Sequence, residues 1–239
     1  MNFSLLLLGF LLGMRHAMET DHLAAVASLA TRSQSVGSTI RQGAVWGLGH
    51  TLTLFLFGSM VLLLDTVIPE TLAQVLEFAV GVMLVGLGID VLRRLWRERI
   101  HFHVHRHADG TLHFHAHSHS GESAHPAVHH HQHGSTHGFP LRALYVGMMH
   151  GMAGSAALIL LALQTVQSPL AGMGYIAVFG IGSIAGMAAL SVIIAVPLRY
   201  SSTGLSWLHS SLQAVIGIST LVIGGVMMYD IGISGGLLV

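Results

Sequence analysis

The chain has 239 residues, 52% of them apolar and only 8% charged, and its formal net charge is zero. A soluble domain carries about 25% charged residues, so this composition points to lipid as the solvent and offers no electrostatic footprint for nucleic acid. With no lysine there is no Gly-Lys phosphate loop for ATP, and with no cysteine there are neither disulfides nor thiolate metal sites.

The first apolar segment, residues 3–30, has neither the basic start nor the small-residue cleavage site of a signal peptide, and reads as a retained membrane helix. Further apolar segments follow at residues 39–64, 72–92, 141–164, 172–197 and 207–229. Each meets the roughly 20 residues that a bilayer-spanning helix needs. The expected fold is an all-α integral membrane protein with six transmembrane helices. Between the third and fourth lies a polar stretch crowded with His101, His103, His105, His107, His113, His115, His117, His119, His125, His129, His130, His131, His133 and His137. Its apolar content is too low to build a core, so it is expected to be disordered or loosely ordered. Neutral imidazole is a good ligand for Ni, Co, Cu and Zn, so the stretch could collect or store metal, serve as a solvated spacer, or regulate the helical part.

The arginines set the expected orientation. Arg32 and Arg41 lie in the first connection, Arg93, Arg94, Arg97, Arg99, Arg106 and Arg142 flank the third, and Arg199 is in the fifth. The positive-inside rule makes that side cytoplasmic, with both termini outside and the histidine-rich loop inside. The chain also repeats itself. Gly13-Met14-Arg15-His16 is echoed by Gly147-Met148-Met149-His150, Gly47-Leu48-Gly49-His50 by Gly180-Ile181-Gly182-Ser183, and Leu76-Glu77 with Gly81 by Leu212-Gln213 with Gly217. The offsets are 134, 133 and 136 residues. With three helices per half, the second half enters from the opposite face, which is an inverted 3+3 repeat with its site at the repeat interface. The organisation expected is a first repeat over 1–97, a histidine-rich cytoplasmic loop over 98–139 and a second repeat over 140–239.

The strongest chemical signal is Arg15-His16-Ala17-Met18-Glu19-Thr20-Asp21-His22, five ionisable residues inside an apolar segment. A charge at bilayer depth costs at least about 2.5–3.5 kcal/mol, so such residues default to function. Arg15 and Glu19, four apart, can neutralise each other as auxiliary residues. That leaves Asp21 as the free anion beside two imidazoles, a donor set for Ni, Co, Zn or Fe. On a straight helix His16, Asp21 and His22 point in three directions, so they share an ion only if the helix is broken between them. A structural charge cluster sealing two helices is the alternative. His50, after Gly47 and Gly49, reads either as a packing histidine or as a further ligand, and His150, repeat partner of His16, as a ligand or a relic of duplication. His209 reads as structural. Gly182 and Gly186 favour close helix contact. Met14, Met18, Met148 and Met152 lie near the candidate site and could line it.

His16, Asp21 and His22 form a His-x4-Asp-His pattern that resembles the signature of the nickel/cobalt permeases, and Leu48-Gly49-His50-Thr51 looks like that family's second motif. The second half is plainer, without the acids of the later motifs, and is similar to the compact branch found with urease and hydrogenase genes. The resemblance implies a secondary permease of the plasma membrane for Ni2+, with Co2+ as a second candidate, that supplies such enzymes. His16, Asp21, His22 and His50 would hold the ion in passage, with His150 as a further candidate. The metal is cargo and no resident cofactor is expected. Partners are the lipid bilayer, the ion and, as a candidate, a cytoplasmic metallochaperone. The histidine-rich loop also resembles loops of nickel/cobalt exporters in the same superfamily, so efflux is the alternative. A metal-storing or sensing membrane protein is a second alternative, and a membrane enzyme with a histidine-rich metal centre a third.

Overall fold

The computed structural model describes residues 3–33, 35–64, 69–97, 100–106, 112–118, 140–154 and 168–238. The elements are α1 (Phe3–His16), α2 (Thr20–Ala30), α3 (Val36–Leu64), α4 (Glu70–Arg97), β1 (Ile100–Arg106), β2 (Leu112–Ser118), α5 (Leu141–Ala153), α6 (Pro169–Gly204) and α7 (Ser206–Tyr229), with a π-turn at Asp230–Ser234. Four helices are long and apolar enough to cross a membrane: α3, α4, α6, and α7 with its π-turn. Large apolar side chains such as Leu56, Ile193, Trp207 and Val215 are more than half exposed on them. A soluble protein rarely presents so much apolar surface, and a multi-pass membrane protein turns it toward lipid. α5 ends at Ala153, and the rest of the fourth expected segment lies outside the described residues.

The first expected helix is two helices. Met18 N–H bonds to Arg15 O at 2.9 Å and Glu19 N–H to His16 O at 3.0 Å, the three-residue bonds of a tightened last turn. The chain leaves extended at Glu19 (φ −63°, ψ 151°) and re-enters a helix at Thr20. α2 is then buried almost all round, with every residue from Ala24 to Ala30 inside. A helix without a polar face belongs in the interior of a bundle. α6 begins on a serine cap, Ser168 Oγ accepting the N–H of Ala171, with Pro169 in the first turn. It runs through Pro197, where the sequence suggested an end, and reaches Gly204. Proline is tolerated in membrane helices because neighbours re-satisfy the freed backbone.

α1 packs on α6, α5 on α3, α3 on α6, and α4 on α7. Gly13 of α1 lies so close to α6 that a Cβ there would overlap the carbonyl oxygen of Phe179. Gly147 of α5 lies likewise against the carbonyl oxygen of Trp46 on α3. The core gathers Ala17, Ala25, Val26, Trp46, Leu84 and Met187 where these helices meet α2. Leu54, Ile176 and Phe179 form a second cluster between α3 and α6.

The loosely ordered loop is corrected in part. β1 and β2 pair antiparallel, with His101 opposite His117, His103 opposite His115 and His105 opposite His113. The physical reason is a period of two: histidine alternates with Ile100, Phe102 and Val104, and again with Leu112, Phe114 and Ala116. His107, His119, His125, His129, His130, His131, His133 and His137 lie outside the described residues.

Candidate metal site

Four histidines from four helices meet beside the break. His16 is the last residue of α1, His22 lies in the first turn of α2, His50 in α3 and His150 in α5. The His22 ring centroid is 4.4 Å from that of His16, 5.1 Å from His50 and 4.1 Å from His150. His16 and His50 are 5.3 Å apart by the same measure. His22, His50 and His150 are each at most 2% exposed. Trp46 walls them, its ring 5.3 Å from His22 and 5.5 Å from His150. The break brings the His16 and His22 rings together edge to face, which one straight helix would forbid.

Hydrogen bonds orient the rings. A carboxylate only accepts, so a ring nitrogen facing one carries the proton. His22 Nδ1 donates to Asp21 Oδ1 at 3.0 Å, and His150 Nε2 donates to Asp21 Oδ2 at 2.8 Å. His16 Nδ1 lies 3.0 Å from Glu19 Oε1. The opposite nitrogens, His16 Nε2, His22 Nε2 and His150 Nδ1, are buried and have no partner among the described residues, and nor does either nitrogen of His50. Ligand atoms of His16, His22 and His50 lie within 4.8 Å of one another, as do those of Asp21, His22 and His150. Metal–nitrogen bonds of about 2.0–2.1 Å ask for nitrogens somewhat closer, which small rotations of three rings can supply. Carboxylates holding imidazoles by their far nitrogen are the usual outer shell of histidine metal sites. The trio could therefore bind a transition metal, with Asp21 and Glu19 supplying negative charge one bond further out.

All five sequence candidates are thus together. Asp21, however, faces His22 and His150 and so is engaged, where the sequence reading left it a free anion. Among the described residues Glu19 pairs with His16 and not with Arg15, because the break takes Arg15 and Glu19 off a common helical face. Arg15 instead lines a cavity of about 430 Å3 that reaches His16, Asp21, His22 and His150. His209 stands apart, its Nδ1 within 3.1 Å of Leu198 O and 3.2 Å of Ser201 Oγ, and joins α6 to α7 as a packing residue. Met227, and none of the four methionines singled out by sequence, is among the described cavity residues. Sequence reasoning missed Glu77, which lines the same cavity from α4. The signal was there, since a lone carboxylate in an apolar segment follows the rule that singled out Asp21.

The chain is similar to the urease accessory protein UreH of Bacillus sp. (strain TB-90). The two are 34% identical over 237 residues, which span 98% of this chain and 94% of the relative. No protein-family model matches the chain, and no solved structure does.

Proposed function

The chain belongs to the family of the urease accessory protein UreH, and from that premise and the imidazole cluster we propose that it is a secondary transporter which carries Ni2+ into the cell for urease. It is a member of an accessory-protein family and not an enzyme. The observation that carries the reading is the set of buried, unpartnered nitrogens of His16, His22 and His50, beside a cavity of about 430 Å3 that His16 and His22 line. Imidazoles, two of them with the other nitrogen tied to Asp21 or Glu19, suit a borderline divalent ion better than Mg2+ or Ca2+. An inward negative potential of about 100 mV favours entry of a divalent ion by roughly 4.6 kcal/mol, so no nucleotide is needed. The His-x4-Asp-His pattern supports assignment to the nickel/cobalt permeases, with Co2+ as a second cargo. Passage ends at a cytoplasmic acceptor such as a metallochaperone.

The same reading takes the molecule as six spans in an inverted 3+3 repeat within the plasma membrane. Gly13 meets Phe179 as Gly147 meets Trp46, and Gly147 and Phe179 follow Gly13 and Trp46 by 134 and 133 residues. Contacts related in this way support a two-fold axis between the halves. Arginines from three connections gather at one end. Arg32 and Arg142 both donate to Asp90, and Arg199 lines a cavity with Thr31 and Ser33. That supports a cytoplasmic arginine end with both termini outside. The test is uptake of radiolabelled Ni2+ by proteoliposomes holding the purified chain under an imposed inside-negative potential. Saturable Ni2+ entry is expected, lost in His22→Ala. Absence of entry from correctly inserted wild type, or unchanged entry in His22→Ala, overturns the reading.

A further inference from the structure

The histidine cavity takes its lining from Glu77 near the start of α4, Met227 near the end of α7 and Gly154 at the end of α5. A second cavity, of about 230 Å3, lies at the arginine end among Thr31, Ser33, Ser35, Thr39, Arg199 and His209. α2 joins them: Asp21 borders the first cavity and Ala30 the second. Nine residues of helix separate the two, about 13 Å. Between them Val26 and Leu29, 2% and 5% exposed, close the way. Beside these two residues is a void too small for a water, lined also by Thr39, Gln42, Gly43 and Ser191.

That void is polar on one wall. Gln42 Oε1 is buried and has no hydrogen-bond partner among the described residues. Ser191 Oγ donates to Met187 O at 2.8 Å, and Thr39 Oγ1 donates to Ser35 O at 3.1 Å. With their protons engaged by helix carbonyls, both hydroxyl oxygens keep lone pairs for a cation. An amide oxygen left unsatisfied between packed helices is costly and asks for a partner. On the side of α2 that faces α3 and α6, these oxygens lie between the two cavities.

We propose that Gln42, with the hydroxyls of Thr39 and Ser191, is a second and weaker cation subsite that receives Ni2+ from the histidine cluster and passes it to the inner cavity. The proposal rests on the carrier reading above. Oxygen donors hold a borderline metal less tightly than imidazole, so an ion moved onto them by the inside-negative potential is not trapped there. Opening requires Val26 and Leu29 to part from the wall formed by α3 and α6, where Gly43 and Ser191 pack closely against each other.

Gln42→Leu and Gln42→Glu separate this role from packing. Ni2+ binding is read by titration of the purified full chain, and Ni2+ uptake in proteoliposomes. In Gln42→Leu uptake falls about tenfold or more, while affinity at the histidine cluster stays within about threefold. Gln42→Glu, which keeps an oxygen, transports faster than Gln42→Leu. A packing role gives the reverse order, because a buried carboxylate costs more than a buried leucine. Gln42→Met supplies the same comparison if the leucine variant does not insert. Wild-type uptake in Gln42→Leu, loss of Ni2+ binding in it, or leucine outperforming glutamate overturns the subsite alone. Failure of the wild type to move Ni2+ removes the carrier reading as well.

Discussion

His50 gains nothing from its own burial. It is fully buried, and neither ring nitrogen has a partner among the described residues. Each unsatisfied buried group costs about 1–3 kcal/mol. His50→Leu is therefore expected to raise the melting temperature of the metal-free protein and to remove the rise that Ni2+ gives the wild type. Thermal unfolding with and without Ni2+ reads both effects, and a lowered metal-free melting temperature would make His50 a packing residue. Asp21 acts differently, through the two rings it accepts from. Asp21→Asn keeps the shape but loses the charge and offers a donor where a ring N–H already points. Loss of such an outer-shell partner costs about 10–100-fold in metal affinity. Nickel titration is expected to give a loss in that range, and affinity unchanged from wild type would remove Asp21 from the site. Much of this cluster was legible in the sequence. Charges in an apolar run singled out His16, Asp21 and His22, and the 100° step of a helix required a break before they could converge. The partners of Asp21 were not legible, because His150 reaches it across 129 residues through a packing that no local pattern encodes.

Helix contact sets how far the cluster can move. α1 and α5, which carry His16 and His150, are fixed by Gly13 against Phe179 and by Gly147 against Trp46. An added methyl at either meets backbone, which no rotamer change relieves. Gly13→Ala and Gly147→Ala are each expected to destabilise by about 1–3 kcal/mol, as overpacking does. Gly37→Ala and Gly86→Ala, where a Cβ meets nothing within 4 Å, are the matched controls. Chemical denaturation of the detergent-solubilised variants reads this, and equal stability across all four would refute the close-packing account. The glycine echoes in the sequence made these contacts guessable as a repeat. The hairpin was equally readable, since Phe102, Val104 and Phe114 alternate with histidine. There, low apolar content argued for looseness, and pairing of two alternating strands outweighed it. The Asp90 cluster shows the opposite limit. Arg94 sits one helical turn from Asp90, but Arg32 and Arg142 come from separate parts of the chain, and only the tertiary fold brings them to the same carboxylate.

At the scale of the molecule, the proposed function makes the histidine-rich stretch and the helical site separate devices that share one cargo. The helical site is buried, and three of its rings, those of His16, His22 and His150, are held by carboxylates, whereas the stretch lies between α4 and α5, outside every candidate span. Pairing of His101 with His117 and of His103 with His115 sets metal-binding residue types opposite one another on a hairpin whose second strand packs near α7. Many weak ligands on one tether raise the local metal concentration without forming a route. Replacing residues 101–137 by a short linker is therefore expected to leave saturable Ni2+ uptake intact and to change its half-saturating concentration. The difference has a pH signature. Unperturbed imidazole has a pKa near 6.5 and binds metal only when neutral. As pH falls below about 6.5 the stretch becomes cationic and releases its metal, so wild type and deletion are expected to converge there and to diverge above it. Uptake against Ni2+ concentration at two pH values, one on each side, reads this directly. Loss of all uptake in a correctly inserted deletion would put the stretch on the route itself. A gap between wild type and deletion that persists at low pH would mean that groups other than histidine carry its effect.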